Sequence, residues 1–95
     1  MRIKFCSVFH YADDGIDIYF PDIPNAITCA YSKEEAVKMA EDVLELVLHG
    51  TQHKDLPNAT PRKYITCDEK SEIVDIAITM KVEKGILYGN HVVAF

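Results

Sequence analysis

The sequence has no tryptophan, and its few glycines and cysteines are scattered, which argues against several kinds of site. The four glycines stand at positions 15, 50, 85 and 89, so no glycine-rich loop is present to hold a phosphate group. Three cysteines at wide spacing fit neither a paired disulfide framework nor the CxxC pairs of a zinc site. The sequence therefore predicts reduced thiols, which are typical of the cytoplasm.

Basic residues and long apolar runs are also scarce. Ten lysines and arginines against fifteen aspartates and glutamates give a formal net charge of −5. Binding to nucleic acid by phosphate neutralisation needs a clustered basic surface, so we expect any large partner to be a basic protein instead. No apolar run approaches the roughly 20 residues of a membrane span, and acidic residues follow the first apolar stretch too early for a signal-peptide core. We expect no membrane association.

The chain has enough apolar side chains for one core. Of its 95 residues, 48% are hydrophobic, which is incompatible with intrinsic disorder. Apolar residues alternate along 1–20, and Asp13-Asp14-Gly15 supplies a turn, so this region predicts a β-hairpin. The prolines of Pro21-Asp22-Ile23-Pro24 end the second strand, and a third short strand is predicted at about 26–30.

A helix is predicted from Lys33 to Gly50. Ser32 and Glu35 have the spacing of a capping box, in which the serine hydroxyl accepts from the Glu35 amide and the carboxylate reaches back to the cap. Gly50 fits the end of the helix. The apolar stripe, spaced by three and four residues, consists of Ala36, Val37, Ala40, Val43, Leu44, Val47 and Leu48.

The second half of the chain predicts an exposed loop over 51–61, a short turn near Tyr64 and one long strand over 74–82. Glu83-Lys84-Gly85 breaks that strand, and Ile86–Tyr88 with 91–95 can form one more. The predicted fold class is α+β, in which a β-β-β-α-β antiparallel meander carries one helix on one face. The other sheet face is left either half-buried or as an oligomer contact.

The residues that could carry chemistry predict no catalytic, cofactor or metal site. His49 and His53 have the spacing of two metal ligands on a helix, but Gly50 ends the helix between them. His10 and His91 stand alone, and Cys6 in a strand is typical of a buried apolar position. The acidic run that includes Asp13, Asp14, Asp17 and Asp22 lacks the spacing of a calcium loop.

An ordered set of short motifs carries a family resemblance. These are FHYADDGI over 9–16, FPDIP over 20–24, Thr28, SKEEA over 32–36 and Ala40. Over residues 1–82 the chain resembles the HicB antitoxins. The resemblance implies a partial ribonuclease H-like fold and a cognate HicA toxin, a small basic ribonuclease that the antitoxin covers and silences. Residues 83–95 then form a short C-terminal tail that can add one more strand.

Two departures from the family pattern stand out. Asn25-Ala26 replaces the family's Gly-Cys, a mild change because asparagine also tolerates the left-handed conformation. Many members continue into a DNA-binding module, whereas the dozen or so residues after Val82 are too few for a helix-turn-helix and contain one lysine and no arginine. We therefore do not expect this chain alone to bind operator DNA.

Three functions remain open at this point. The first is a toxin-neutralising binding module, and the second is a stand-alone scaffold or small-ligand-binding domain of the same fold. The third is a degenerate metal-dependent nuclease, which needs converging carboxylates, one of them from the first strand. That strand, RIKFCSVF over 2–9, has none, so we expect a binding module and no enzyme.

The predicted interaction residues form two sets. Contacts to the toxin are assigned to the exposed helix face and the region beside Pro21–Pro24, namely Tyr19, Asp22, Glu34, Glu41, Asp42 and Glu45. A homodimer or larger oligomer is expected through the apolar tail, namely Ile86, Leu87, Tyr88, Val92, Val93 and Phe95.

Overall fold

The computed structural model describes residues 1–90 as six strands, one α-helix and two short 3₁₀ turns. The 3₁₀ turns span His53–Asp55 and Arg62–Tyr64. In chain order the main elements are β1 Arg2–Ala12, β2 Gly15–Phe20, β3 Ile23–Ala30, α1 Lys33–Leu48, β4 Ser71–Thr79, β5 Lys81–Glu83 and β6 Ile86–Tyr88.

Four strands form one antiparallel sheet in the order β3-β2-β1-β4, and α1 lies across one face. The α+β prediction with one helix on one sheet face is thus confirmed. Alternate residues of the strands point at the helix, so Phe9, Ile18 and Ile76 form a core with Ala40 and Leu44 of α1. No helix in this described part is long and apolar enough to cross a membrane.

The β1–β2 hairpin forms as the alternating pattern predicts. Phe9 lies opposite Ile18, and Ala12 lies opposite Gly15 at the turn. Gly15 has φ +150°, and a Cβ there would lie 2.8 Å from the Ala30 carbonyl oxygen, so only glycine fits this close approach.

β3 begins at Ile23, earlier than predicted, and includes Pro24. The pairing with β2 shifts register between Tyr19 and Phe20, which accommodates the irregular start. β3 is also an edge of the sheet in the described chain, where a proline that lacks an N–H is tolerated. The prediction from the two prolines was therefore right about the end of β2 and wrong about the start of β3.

The capping box of α1 is present with one adjustment. The Ser32 Oγ accepts from the Glu35 N–H at 3.2 Å, and the Glu35 carboxylate accepts from the Tyr31 N–H, one residue before the cap, at 3.2 Å. The helix ends at Leu48, and Gly50 follows with φ +85° as predicted.

The long strand predicted over 74–82 is two elements. β4 ends at Thr79, and Val82 lies in β5, which pairs with β6. Lys84 and Gly85 both have positive φ and form the two-residue turn between β5 and β6, which is the backbone of a type I′ hairpin turn.

The β5–β6 hairpin belongs to the same core as the sheet. Leu87 is fully buried, and it accepts from the Gly50 N–H at 2.8 Å and donates to the Thr51 carbonyl at 2.9 Å. The boundary expected after Val82 therefore falls inside a hairpin, and residues 83–90 pack with the domain. Residues 91–95 lie outside the described residues.

Residues 59–62, at the end of the segment predicted as an exposed loop, form a strap across the second sheet face, which is the face opposite α1. Thr60 donates its N–H and hydroxyl to the two carboxylate oxygens of Asp22, at 2.8 and 2.5 Å. Arg62 donates to the Ile73 carbonyl of β4 at 2.8 Å. Because β1 lies between these anchors, the strap crosses it and forms a cleft over Cys6. Sequence periodicity gives no signal for such a crossing.

Candidate partner-binding groove

A groove of about 480 Å³ runs between α1 and β4, and it contains four of the six residues predicted to contact a partner. Its apolar residues include Val37 and Ile78, and Ala77, Thr79 and Asn90 line the β4 side. The predicted residues are Glu34, Glu41, Asp42 and Glu45.

The helical period places these side chains on one stripe. Positions 34, 37, 38, 41, 42 and 45 recur at three and four residues and point towards β4, whereas 36, 40, 44 and 48 point into the core. One stripe of α1 thus packs on the sheet, and the neighbouring stripe directs acidic side chains into the groove.

The groove is strongly negative. Four carboxyl groups line it against one ammonium, that of Lys38, so its charge is −3 when all five are ionised. Glu41 is half-buried, and charges at such partly desolvated positions interact more strongly than charges in bulk water. A cationic partner is favoured there.

The sequence predicts Glu45 on the exposed face of the helix, and this is wrong. Only 6% of its surface is exposed. It lies in the last turn of α1 and lines the groove together with Ala77 of β4. Charge patterning marked it as solvated because alternating acids and lysines are typical of an exposed face.

Tyr19 and Asp22 lie away from the groove. Tyr19 pairs with Val8 and points to the second sheet face, opposite the helix. Both carboxylate oxygens of Asp22 accept hydrogen bonds from Thr60, so Asp22 anchors the strap. Of the residues predicted to contact the toxin, only the helix acids therefore share the groove.

The structure describes only three of the six residues that were predicted to form the oligomer contact, namely Ile86, Leu87 and Tyr88. Leu87 is buried in its own chain, so it is not available to a partner, and this assignment is wrong. Ile86 and Tyr88 are half-buried, and the Tyr88 ring meets the His49 ring edge-on at 5.7 Å. Val92, Val93 and Phe95 lie outside the described residues.

Sequence reasoning missed the apolar residues of the groove. The helical stripe predicts only a packing role for Val37, which does pack against the core but, like the core residue Ile78, also lines the groove. The signal that could have found this is the short step from Val37 to Glu41, which puts an apolar and an acidic side chain on one helix stripe.

A serine, a histidine and an aspartate meet at the start of β4. The Ser71 Oγ lies 2.9 Å from His10 Nδ1 and donates to Asp68 at 2.8 Å. In a catalytic triad the serine and the aspartate use opposite nitrogens of the imidazole, whereas here both approach Nδ1. The Lys70 N–H also donates to Asp68, so the cluster is a turn that leads into β4.

Among the described residues, neither Cys6 nor the histidines and acidic residues form a nucleophilic or metal-binding site. Burial, followed by the hydrogen bond to Asp75, raises the pKa of the Cys6 thiol, which disfavours the nucleophilic thiolate. His49 Nδ1 accepts from the Gly89 N–H at 3.0 Å. Within residues 1–90, no three groups of histidine, cysteine, aspartate or glutamate lie together as a metal site would need.

A scan against protein-family models finds no match, and a search of curated proteins finds none either.

Proposed function

We propose that this protein is an antitoxin-like binding module that neutralises a small basic ribonuclease of the HicA type by covering its RNA-binding surface. The observation that carries the proposal is the acidic groove between α1 and β4, in which four carboxyl groups line a partly apolar floor. A ribonuclease must itself attract phosphates, so its RNA-binding surface is the basic complement of such a groove.

The motifs and the element order support the same proposal. The stretches FHYADDGI, FPDIP and SKEEA resemble those of HicB antitoxins, and the first five main elements have the order β-β-β-α-β that this resemblance implies for a partial ribonuclease H-like fold. We propose that fold for this chain. Inhibition follows from occlusion, because RNA and the antitoxin compete for one surface of the toxin.

The chemistry of the described residues gives the nuclease alternative no support. A two-metal nuclease needs carboxylates that converge on ions about 4 Å apart. β1 contains no acidic residue, and the acids of the groove line one helix stripe opposite uncharged β4 residues. Binding therefore accounts for the groove better than hydrolysis does.

Co-expression with the product of the neighbouring reading frame tests the proposal. We expect the wild-type chain to co-purify with a small basic protein and to restore growth that this protein arrests. The double change Glu41→Lys/Asp42→Lys should weaken the complex by at least about tenfold, because it reverses two charges of the groove. Glu45 is left unchanged because it is buried.

The matched control is Asp13→Lys/Asp14→Lys, which makes the same change in net charge at the exposed β1–β2 turn. It should leave the complex within about threefold of the wild-type affinity. Failure of the wild-type pair to co-purify, or the absence of a small basic frame beside this one, would overturn the antitoxin proposal and favour a stand-alone scaffold. Equal weakening by both double variants would show only a general effect of charge.

A further inference from the structure

The hydrogen bonds between Met1 and Met80, at one end of the β1–β4 pairing, establish which backbone groups of β4 point away from the sheet. The Met1 N-terminus donates to the Met80 carbonyl at 2.7 Å, and the Met80 N–H donates to the Met1 carbonyl at 2.8 Å. In an antiparallel pair, such mutual bonding recurs at every second residue. Positions 78, 76 and 74 therefore bond β1, and positions 73, 75, 77 and 79 direct their N–H and C=O groups outward.

Two side chains occupy the ends of this outward row. Arg62 donates to the Ile73 carbonyl at 2.8 Å, and the Asn90 side chain donates to the Thr79 carbonyl at 3.1 Å. Between them lie the outward backbone groups of Asp75 and Ala77. β4 is an edge strand in the part of the chain that the structure describes, and Ala77 borders the acidic groove.

We propose that an extended basic segment of the partner adds to β4 along Asp75–Ala77 as a further strand. Its backbone would pair with the outward groups, and every second side chain would point over the groove. Lysine or arginine at those alternate positions would meet Glu41 and Asp42, while their aliphatic stems cover Val37. This inference rests on the proposed function and adds how the partner binds.

A second copy of this chain is disfavoured as the occupant. Antiparallel pairing of β4 with β4 would place the two α1 helices on the same face of one continuous sheet, each with four acidic groove residues. Like charges placed opposite each other oppose association, whereas a basic strand neutralises them.

The test uses the full chain and a synthetic peptide of about eight residues in which lysine and valine alternate. Amide hydrogen exchange is followed by NMR with and without the peptide. We expect the amides of Asp75 and Ala77 to exchange at least about tenfold more slowly in the complex. A peptide of the same composition with its lysines in one block should not slow them.

Ala77→Pro is the decisive variant. It removes an outward N–H and no bond to β1, and edge strands tolerate such a proline, so the fold should remain. Affinity for the alternating peptide should fall at least about tenfold, whereas Ala77→Ser, which keeps the N–H, should stay within about threefold. If Ala77→Pro does not fold, the wild-type exchange measurement decides.

The outcomes separate the two proposals. A toxin that co-purifies equally with the wild-type chain and with folded Ala77→Pro would overturn strand addition and leave the antitoxin function standing. If the peptide protects Asp75 and Ala77 but no toxin co-purifies, strand addition stands and the antitoxin function is overturned. Slow exchange of both amides in the free protein would show that the edge is already paired by the same chain and would overturn strand addition.

Discussion

At the residue scale, Glu72 joins three elements at one end of the sheet. Its carboxylate accepts from the Tyr11 hydroxyl of β1 and lies 3.0 Å from the Lys33 ammonium at the start of α1. The hydrogen bond to Glu72 is the main cause that raises the pKa of Tyr11 to about 12, and the same bond is the main cause that lowers the pKa of Glu72. Neither the strand pattern nor the capping box predicts this contact.

Glu72→Gln should return the pKa of Tyr11 towards its ordinary value of 10.0, because a neutral amide does not oppose the phenolate. Ultraviolet titration of the wild type and the variant measures the change, with Tyr11→Phe to identify the signal. Glu69→Gln is the control, since Glu69 is an exposed residue of the turn before β4. An unchanged titration in Glu72→Gln would contradict the assigned contact.

The same pair gives a pH dependence of stability. The folded-state pKa of Glu72 is lowered, so its contribution is present above the ordinary 4.5 and is lost as the pH falls through the lower folded value. The pKa of Tyr11 is raised, so its contribution is present below 10.0 and is lost as the pH rises through about 12. The difference in unfolding free energy between the wild type and Glu72→Gln should therefore shrink at both extremes.

At the element scale, the sequence predicted those helices and strands that are determined by neighbouring residues. The β1–β2 hairpin follows from alternation and Gly15, and α1 follows from Ser32, Glu35 and a helical stripe. The strap and the β5–β6 docking depend on contacts between distant residues, such as Thr60 with Asp22 and Leu87 with Gly50. No local pattern specifies such pairs, so the sequence showed the acids of α1 but not the groove that collects them.

The burial of Leu87 predicts that the β5–β6 hairpin contributes to the stability of the domain. Leu87→Ala should lower the free energy of unfolding by about 2–5 kcal/mol, because it leaves a cavity in the core. Chemical denaturation measures the loss, and Val82→Ala in the same hairpin, with Val82 substantially exposed, should cost less than about 1 kcal/mol. A Leu87→Ala protein as stable as Val82→Ala would mean that the hairpin does not pack into the core.

At the scale of the whole molecule, the two sheet faces are covered differently. α1 closes one face, whereas the strap crosses the other only at β1, where Cys6 and Val8 are buried. Beyond the strap, Tyr19 and Ile27 pair across β2 and β3 and leave 40% and 66% of their surface exposed. The sequence predicts that one sheet face lacks a helix, and in the structure the exposed apolar part of that face is limited to β2 and β3.

We predict that the chain forms a homodimer, with Tyr19 and Ile27 in the contact in place of Leu87. Association would remove two large apolar side chains from water, and it leaves the acidic groove on the opposite edge free for a partner. Light scattering at roughly 50 µM should give twice 10.7 kDa for the wild type. Ile27→Lys should give a monomer, whereas Leu46→Lys, a change at an exposed position of α1, should remain a dimer. A monomeric wild type would rule out self-association, and a dimeric Ile27→Lys would place the contact elsewhere.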